Sequence, residues 1–393
     1  MKKNSKHFET LAIRTQMERT HQKEHSAPLY LTSSYWFESA EEAKSLFAGE
    51  QEGNIYSRYT NPNNSELAEK LCLLEGTETG FTTATGMAAV YGTFSALLKQ
   101  GDHIVSSSAI FGNSFSVITE ILPKQGVDFS LVPVDENEAW EKAITPKTKM
   151  LFVESPSNPT LKIADLAFLG ELAKKHELIL VVDNCFATPY LQQPTKFGAD
   201  LVLHSATKYI DGQGRVLGGA ILGKKQYVDA CFDFVKKTGA ALSPFNAWVL
   251  SKSLETLAVR MDRHCDNAEK VVDFLDQSDD VEAVLYPFHH SNPRVEIAKA
   301  QMKKGGGLVG CLVKGGLDRG RKFLNALEMI SLSANLGDTR TIATHPASTT
   351  HSKMTEEERL AVGIEAGFVR FSIGLENADD IITDIAQALK ASR

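Results

Sequence analysis

Cysteine is scarce in this chain of 393 residues: Cys72, Cys185, Cys231, Cys265 and Cys311, an odd number with no C-x-x-C spacing. That argues against a disulfide framework and a structural zinc site, and for a reducing compartment. An excess of positive charge is missing too. Lys and Arg number 42 against 49 Asp and Glu, a net charge of −7, so no broad nucleic-acid or anionic-membrane partner is expected. Long apolar runs are absent. The one uncharged stretch long enough to span a bilayer, 79–98, holds five threonines, a serine and three glycines, too polar for a membrane helix. Lys2, Lys3 and Lys6 precede no apolar segment, so no signal peptide is read and a cytoplasmic location is expected. No Walker A motif occurs, and GQGRVLGG (212–219) runs into another strand-like stretch where a nucleotide loop needs a helix.

What is present is an alternation. Apolar residues make up 42% and charged residues 23%, the balance of an ordinary globular protein. The first sixty residues lack strong periodicity and read as an extended arm with short helices. Beyond them, helical spacing over 65–74 and 87–98 alternates with the short apolar runs HIVSS, FSLVPV, MLFVE, LILVVD and DLVLHS. MLFVE, a helix over 165–176 and LILVVD form a βαβ unit, which implies an α/β fold with a mainly parallel central sheet. A single long helix is expected over 248–277. Strand-like GLVGCLVKGG and FVRFSIG then mix with helical stretches in a smaller C-terminal α+β domain. The expected organisation is an arm at 1–60, an α/β domain at 61–250 and the α+β domain at 251–393.

Polar residues collect where the apolar runs end, and ligands of parallel α/β sheets bind at the carboxyl ends of strands. MLFVE leads into Asn158, LILVV into Asp183, and DLVLH into Ser205, Thr207 and Lys208. Read alone, Asp183 fits a loop-capping aspartate and Lys208 a solvated surface lysine. Read together, an amine beside hydroxyls with an acid one strand earlier is what a Schiff-base cofactor site needs. In TATGMAAV, Gly86 and Met87 open a helix after a Thr-rich loop, which suits either an anion site or a plain N-cap. Arg370 sits within apolar FVRFSI, opposite the face of Val369, Phe371 and Ile373, and needs an anion: a ligand carboxylate or an ion pair such as Glu376. His345 and His351 are six apart and HHSNP (289–293) is loop-like, so the histidines read as structural and no metal is expected.

From YSRYTNP (56–62) through TGMAAV, ESPSNP, VVDN and HSATKY to HPASTTH (345–351) and VRFSIGLE (369–376), the chain resembles the Cys/Met-metabolism enzymes that use pyridoxal 5′-phosphate, a branch of the fold-type I superfamily. That resemblance implies that Lys208 carries the cofactor as a Schiff base and Asp183 pairs with its ring nitrogen. It implies that Gly86, Met87, Ser205 and Thr207 hold the phosphate, and that Tyr56 and Arg58 reach the phosphate of a neighbouring subunit. The active unit would then be a homo-oligomer, a tetramer built from dimers that share active sites. Asn158 would lie near the ring and the substrate carboxylate, and Arg370 would clamp that carboxylate bidentately.

Many relatives have tyrosine where this chain has Phe111, in AIFGNSF. A phenylalanine still stacks on the cofactor but donates no proton, which weakens a lyase reading. With TKYIDGQGRVLGG, and Asn335 in SLSANLGDTRT, the pattern is similar to the branch that joins O-succinylhomoserine, or its acetyl analogue, to sulfide in methionine biosynthesis. The alternatives are a cystathionine γ-synthase using cysteine, a methionine γ-lyase, and a non-catalytic binding protein of the same fold. Acyl choice would rest on pocket side chains, with Arg340 a candidate.

Overall fold

The computed structural model describes residues 6–350, 352–361 and 363–393. His351, Lys2 and Lys3 lie outside them. Seven strands form a large sheet: β1 (Thr79–Thr83), β2 (His103–Ser107), β3 (Asp128–Val132), β4 (Thr148–Glu154), β5 (Ile179–Asp183), β6 (Leu201–Ser205) and β7 (Gly219–Gly223). Their order is β1-β7-β6-β5-β4-β2-β3, and only β7 runs against its neighbours. The five apolar runs expected as strands all lie in this sheet, which is mainly parallel. Covered on both faces, these strands read as continuous apolar runs without alternation: every residue of β2 is buried, and so is all of β4 except Lys149.

One face of the sheet packs Phe152, Val181 and Leu203 against Val90 and Phe94 of the helix Gly86–Leu97. The other packs Val153, Val182 and Val202 against Leu169 of the helix Leu166–Lys175, whose N-terminus Asp165 caps through the N–H of Phe168 at 3.0 Å. Gly170 of that helix permits a close approach: an added Cβ would lie 1.9 Å from the carbonyl oxygen of Phe197.

The remaining strands are β8 (Val281–Leu285), β9 (Leu308–Val313), β10 (Ser331–Leu332), β11 (Ile342–Thr344) and β12 (Phe368–Ser372), in a second sheet ordered β10-β11-β12-β9-β8. Val369, Phe371 and Ile373 face its core together with Ile381 and Ile385 of the helix Ala378–Ala391.

The helix expected over 248–277 is in fact two, Pro244–Leu254 and Leu257–Asp276. No proline or glycine marks the break, because its cause is tertiary. Arg260, 5% exposed, donates to the carbonyls of Ser253, Tyr209 and Ile210 at 2.9, 2.6 and 3.2 Å. The Ser253 carbonyl, which also accepts from Thr256, thus shares one guanidinium with the turn that follows Lys208, and that turn is fixed to the second helix. The expected arm contains two short helices, Phe8–Arg14 and Ala40–Ala48. No described helix is long and apolar enough to cross a membrane.

Candidate active site

A cavity of about 220 Å³ opens at the carboxyl ends of β4, β5 and β6, under the start of the helix Gly86–Leu97. Gly86, Met87, Phe111, Asn158, Asp183, Ser205, Lys208 and Arg370 all line it. The parallel strands deliver Glu154, Asp183 and Ser205 to one edge because each is the last residue of its strand, with Ser205 two residues beyond the level of Asp183. Glu154 is paired in register with Asp183.

Lys208 follows β6 in a turn whose register is set by hydrogen bonds from Lys208 N to Ser205 O and from Gly212 N to Lys208 O, at 3.2 and 2.8 Å. Its Nζ donates to Asn335 Oδ1 at 2.7 Å. Burial holds the Lys208 amine below the ordinary lysine range, and the nearby Arg370 charge acts in the same direction. An amine held below its ordinary range is more often present in the unprotonated form, the one that attacks a carbonyl carbon or takes up a proton.

Asp183 accepts the N–H of Cys185 at 3.0 Å. Burial pushes its carboxyl up, and the bond from Cys185 and the His204 ring oppose that shift. Glu154, 3% exposed, is pushed up more strongly, first by burial and then by the Asp183 charge beside it. Two carboxyls this close in a dry site do not both ionise easily. Glu154 accepts the N–H of Phe111 at 2.8 Å and thereby fixes the ring that stands over the cavity. Glu154 was not singled out in the sequence, although it carries the signal that marked Asp183: an acid closing an apolar strand.

Arg370, 6% exposed, donates Nη1 to Asn158 Oδ1 at 2.7 Å, and its buried Nε has no partner. Burial lowers the guanidinium to about 10. Glu376 does not pair with it, since both carboxylate oxygens of Glu376 are taken by Thr341, at 2.6 and 2.8 Å. A buried guanidinium held on one side by an amide and open to a cavity on the other is arranged to receive a carboxylate.

Thr207, Tyr56, Arg58 and Arg340 lie elsewhere. Thr207 points its hydroxyl at the Gly218 backbone, donating to the carbonyl at 3.3 Å and accepting the N–H at 3.1 Å. Arg58 stacks on the rings of Tyr59 and Tyr56, 4.8 and 5.6 Å from their centroids, and donates to the Lys236 carbonyl. Neither Tyr56 nor Arg58 lines the cavity of its own chain. Arg340 is engaged in a two-point pair with Asp338, at 2.9 and 3.0 Å, outside the cavity. His345 bonds Ser348 and the Ala366 carbonyl at 2.7 and 2.8 Å, and His289 bonds Ser291 and Asp276 at 2.7 and 3.1 Å. His289, His290 and Asp276 bring ligand-type atoms within 4.8 Å of one another, but none lines the cavity.

The residues fit a pyridoxal phosphate. The N–H groups of Gly86 and Met87 have no carbonyl within their helix to bond, while Thr85 caps the next turn through the N–H of Ala88 at 3.0 Å. Only glycine fits at 86, since an added Cβ would stand 2.6 Å from Ser205 Cβ. That close approach leaves a cradle of free N–H groups and the Ser205 hydroxyl suited to a phosphate. An amine, a buried acid and an aromatic ring complete the set.

The sequence pattern of the Cys/Met metabolism PLP-dependent enzymes matches residues 9–390. An O-succinylhomoserine sulfhydrylase of Pseudomonas aeruginosa is 43% identical over 98% of this chain and 95% of its own. An L-methionine gamma-lyase of Porphyromonas gingivalis is also 43% identical, over 93% of this chain and 92% of its own. Among solved structures, a Campylobacter jejuni protein containing N′-pyridoxyl-lysine-5′-monophosphate is 36% identical, with a TM-score of 0.94 over 98% of this chain and 100% of that one.

Proposed function

The chain belongs to the Cys/Met metabolism PLP-dependent enzymes and uses pyridoxal 5′-phosphate, and within that family we propose that it is an O-succinylhomoserine sulfhydrylase. In this reading it exchanges the acyloxy group at Cγ of O-succinylhomoserine, or of its acetyl analogue, for sulfide and forms homocysteine. The observation that carries the reading is Phe111: the ring over the cavity has no hydroxyl, while Lys208, Asp183 and the Arg370–Asn158 pair stand complete around it.

Lys208 would hold the cofactor, with Gly86, Met87 and Ser205 at its phosphate and Asp183 at its ring nitrogen. When bound, the cofactor supplies an electron sink for the pair left at Cα. Arg370 and Asn158 orient the substrate by its carboxylate, which places Cα near Nζ of Lys208. Nζ, released by the incoming substrate amine, would remove the Cα proton, hand it on to the bound cofactor and so be free to take one at Cβ, with the protons returned in the reverse order at the end. The Cγ–O bond breaks with its electron pair leaving on the acyl carboxylate, a stable anion that needs no acid. Hydrosulfide then forms the new bond at Cγ. Asn335 keeps the amine aimed into the cavity between these transfers. Tyr56 and Arg58, which are free of their own cavity, would serve a second copy, so the working unit is at least a dimer and the expected assembly a tetramer.

The test is a competition assay: PLP-loaded enzyme with O-succinylhomoserine and equimolar sulfide and cysteine, products identified by mass spectrometry. Homocysteine as the main product supports the proposal. Cystathionine would move the enzyme to the synthase branch, and 2-oxobutanoate formed from methionine at a comparable rate would make it a lyase.

A further inference from the structure

Directly behind the cavity lies a buried polar cluster that the proposed chemistry does not use. Glu75 ends the helix Pro62–Glu75 and is 0% exposed. Its Oε1 meets His204 Nε2 at 2.6 Å and accepts Asn184 Nδ2 at 2.8 Å. Asn184 follows Asp183 directly, and His204 precedes Ser205. Gln192 extends the cluster by donating to Asn184 Oδ1 at 3.0 Å and to the Ser155 carbonyl at 2.8 Å, next to Glu154. One carboxylate and two amides therefore join the ends of β4, β5 and β6, the strands that deliver Glu154, Asp183 and the Lys208 turn. His204 alternates with Leu203, so its ring lies on the sheet face opposite the helix Gly86–Leu97.

A buried carboxylate is costly unless it is fully engaged, yet Glu75 Oε2, His204 Nδ1 and Gln192 Oε1 have no partner. An apolar filling would serve packing better, so the cluster needs another reason to be there.

We propose that Glu75 is a positioning residue for Asp183, acting through Asn184 with His204 as its partner. Asn184 is held on every side: its Nδ2 donates to Glu75 and to the Gln192 carbonyl at 2.9 Å, its Oδ1 accepts from Gln192, its N–H donates to the Leu203 carbonyl at 3.0 Å, and its carbonyl accepts the N–H of Thr188 at 3.0 Å. The next peptide N–H, that of Cys185, is the donor that orients the Asp183 carboxyl. Fixing Asn184 thus fixes the acid that meets the cofactor's ring nitrogen, a role of Asp183 on which the inference rests.

The test uses Glu75→Leu, Asn184→Ala, Glu75→Gln and Asp183→Asn. Measured are the PLP dissociation constant of the apoenzyme, the visible absorption band that borohydride bleaches, kcat and KM separately, and thermal stability. Glu75→Leu and Asn184→Ala are expected to weaken PLP binding and to lower kcat by about 10-fold, with KM nearly unchanged, as a small displacement of a reacting group does. Glu75→Gln, which keeps the accepting oxygen, should restore both. Asn184→Ala leaves the Glu75–His204 contact in place and decides the matter if Glu75→Leu does not fold. Lower thermal stability with an unchanged PLP constant, band and kcat would overturn the proposal and leave the cluster a packing device. Asp183→Asn separates the two readings. If it alone loses cofactor affinity and turnover, only the positioning role fails; if it keeps both, the role of Asp183 fails.

Discussion

Arg370 shows how much of a residue's function its surroundings decide. Alternation along FVRFSI places it opposite the core face, but a ligand clamp and a structural ion pair remain equal until Glu376 is seen bonded to Thr341. Arg370→Lys keeps the charge and loses the planar fork that grips a carboxylate at two points. Loss of one charge-assisted hydrogen bond, about 1.5–3 kcal/mol, should raise KM for the amino-acid substrate by about 10- to 100-fold while kcat falls much less. Steady-state kinetics at saturating sulfide check this, and an unchanged KM would remove Arg370 from substrate binding. Glu154 is the converse case. Its signal was legible, but only its pairing with Asp183 and its bond to the Phe111 N–H give it a task.

At the scale of elements, the apolar runs located the strands well, and the missed pieces were the short or partly exposed β1, β8, β10 and β11. Periodicity also joined two helices across a break where Arg260, in the second helix, ties the Ser253 carbonyl to those of Tyr209 and Ile210 far away in the chain. Packing between elements was likewise invisible in the sequence. Gly170 carries no turn signal, yet the helix Leu166–Lys175 meets the Phe197 carbonyl there. Gly170→Ala forces backbone apart and should cost about 2–3 kcal/mol, read as a lower denaturation midpoint. Wild-type stability in that variant would show that the contact gives way freely.

At the scale of the molecule, Arg393 is tied to Asp280, which immediately precedes β8 of the second sheet. Asp280 takes hydrogen bonds from Arg393 and Arg319 at 2.7 and 2.5 Å, and these lower its carboxyl to about 2. A depressed carboxylate pKa means stability that is present above the ordinary value near ~3.9 and lost as pH falls toward the folded value. Asp280→Asn should therefore destabilise by about 1 kcal/mol at pH 7, with the gap closing between about pH 4 and pH 2. Urea unfolding of both proteins across that range measures it, and a constant gap would mean that the loss is not electrostatic. The shared active site is tested by mixing. If Arg58 serves a partner's cavity, then Lys208→Ala and Arg58→Ala chains, each inactive alone, should regain about one quarter of wild-type activity after random reassociation into dimers. No recovery from a mixture shown to hold hybrid dimers would place Arg58 outside the neighbouring site.

The sequence by itself determined the class of the fold, because strands buried on both faces must be written as apolar runs separated by helical spacing. It also marked the strand ends as the place to look for chemistry, since an amine and an acid at the ends of apolar runs are costly unless they are engaged. Tertiary structure alone decided which of these groups meet. The sheet order sets Glu154 beside Asp183, the second sheet brings Arg370 to Asn158, and the segment before β11 brings Asn335 to Lys208. These pairs are far apart in the chain, and no local pattern encodes a distance that only the folded chain creates.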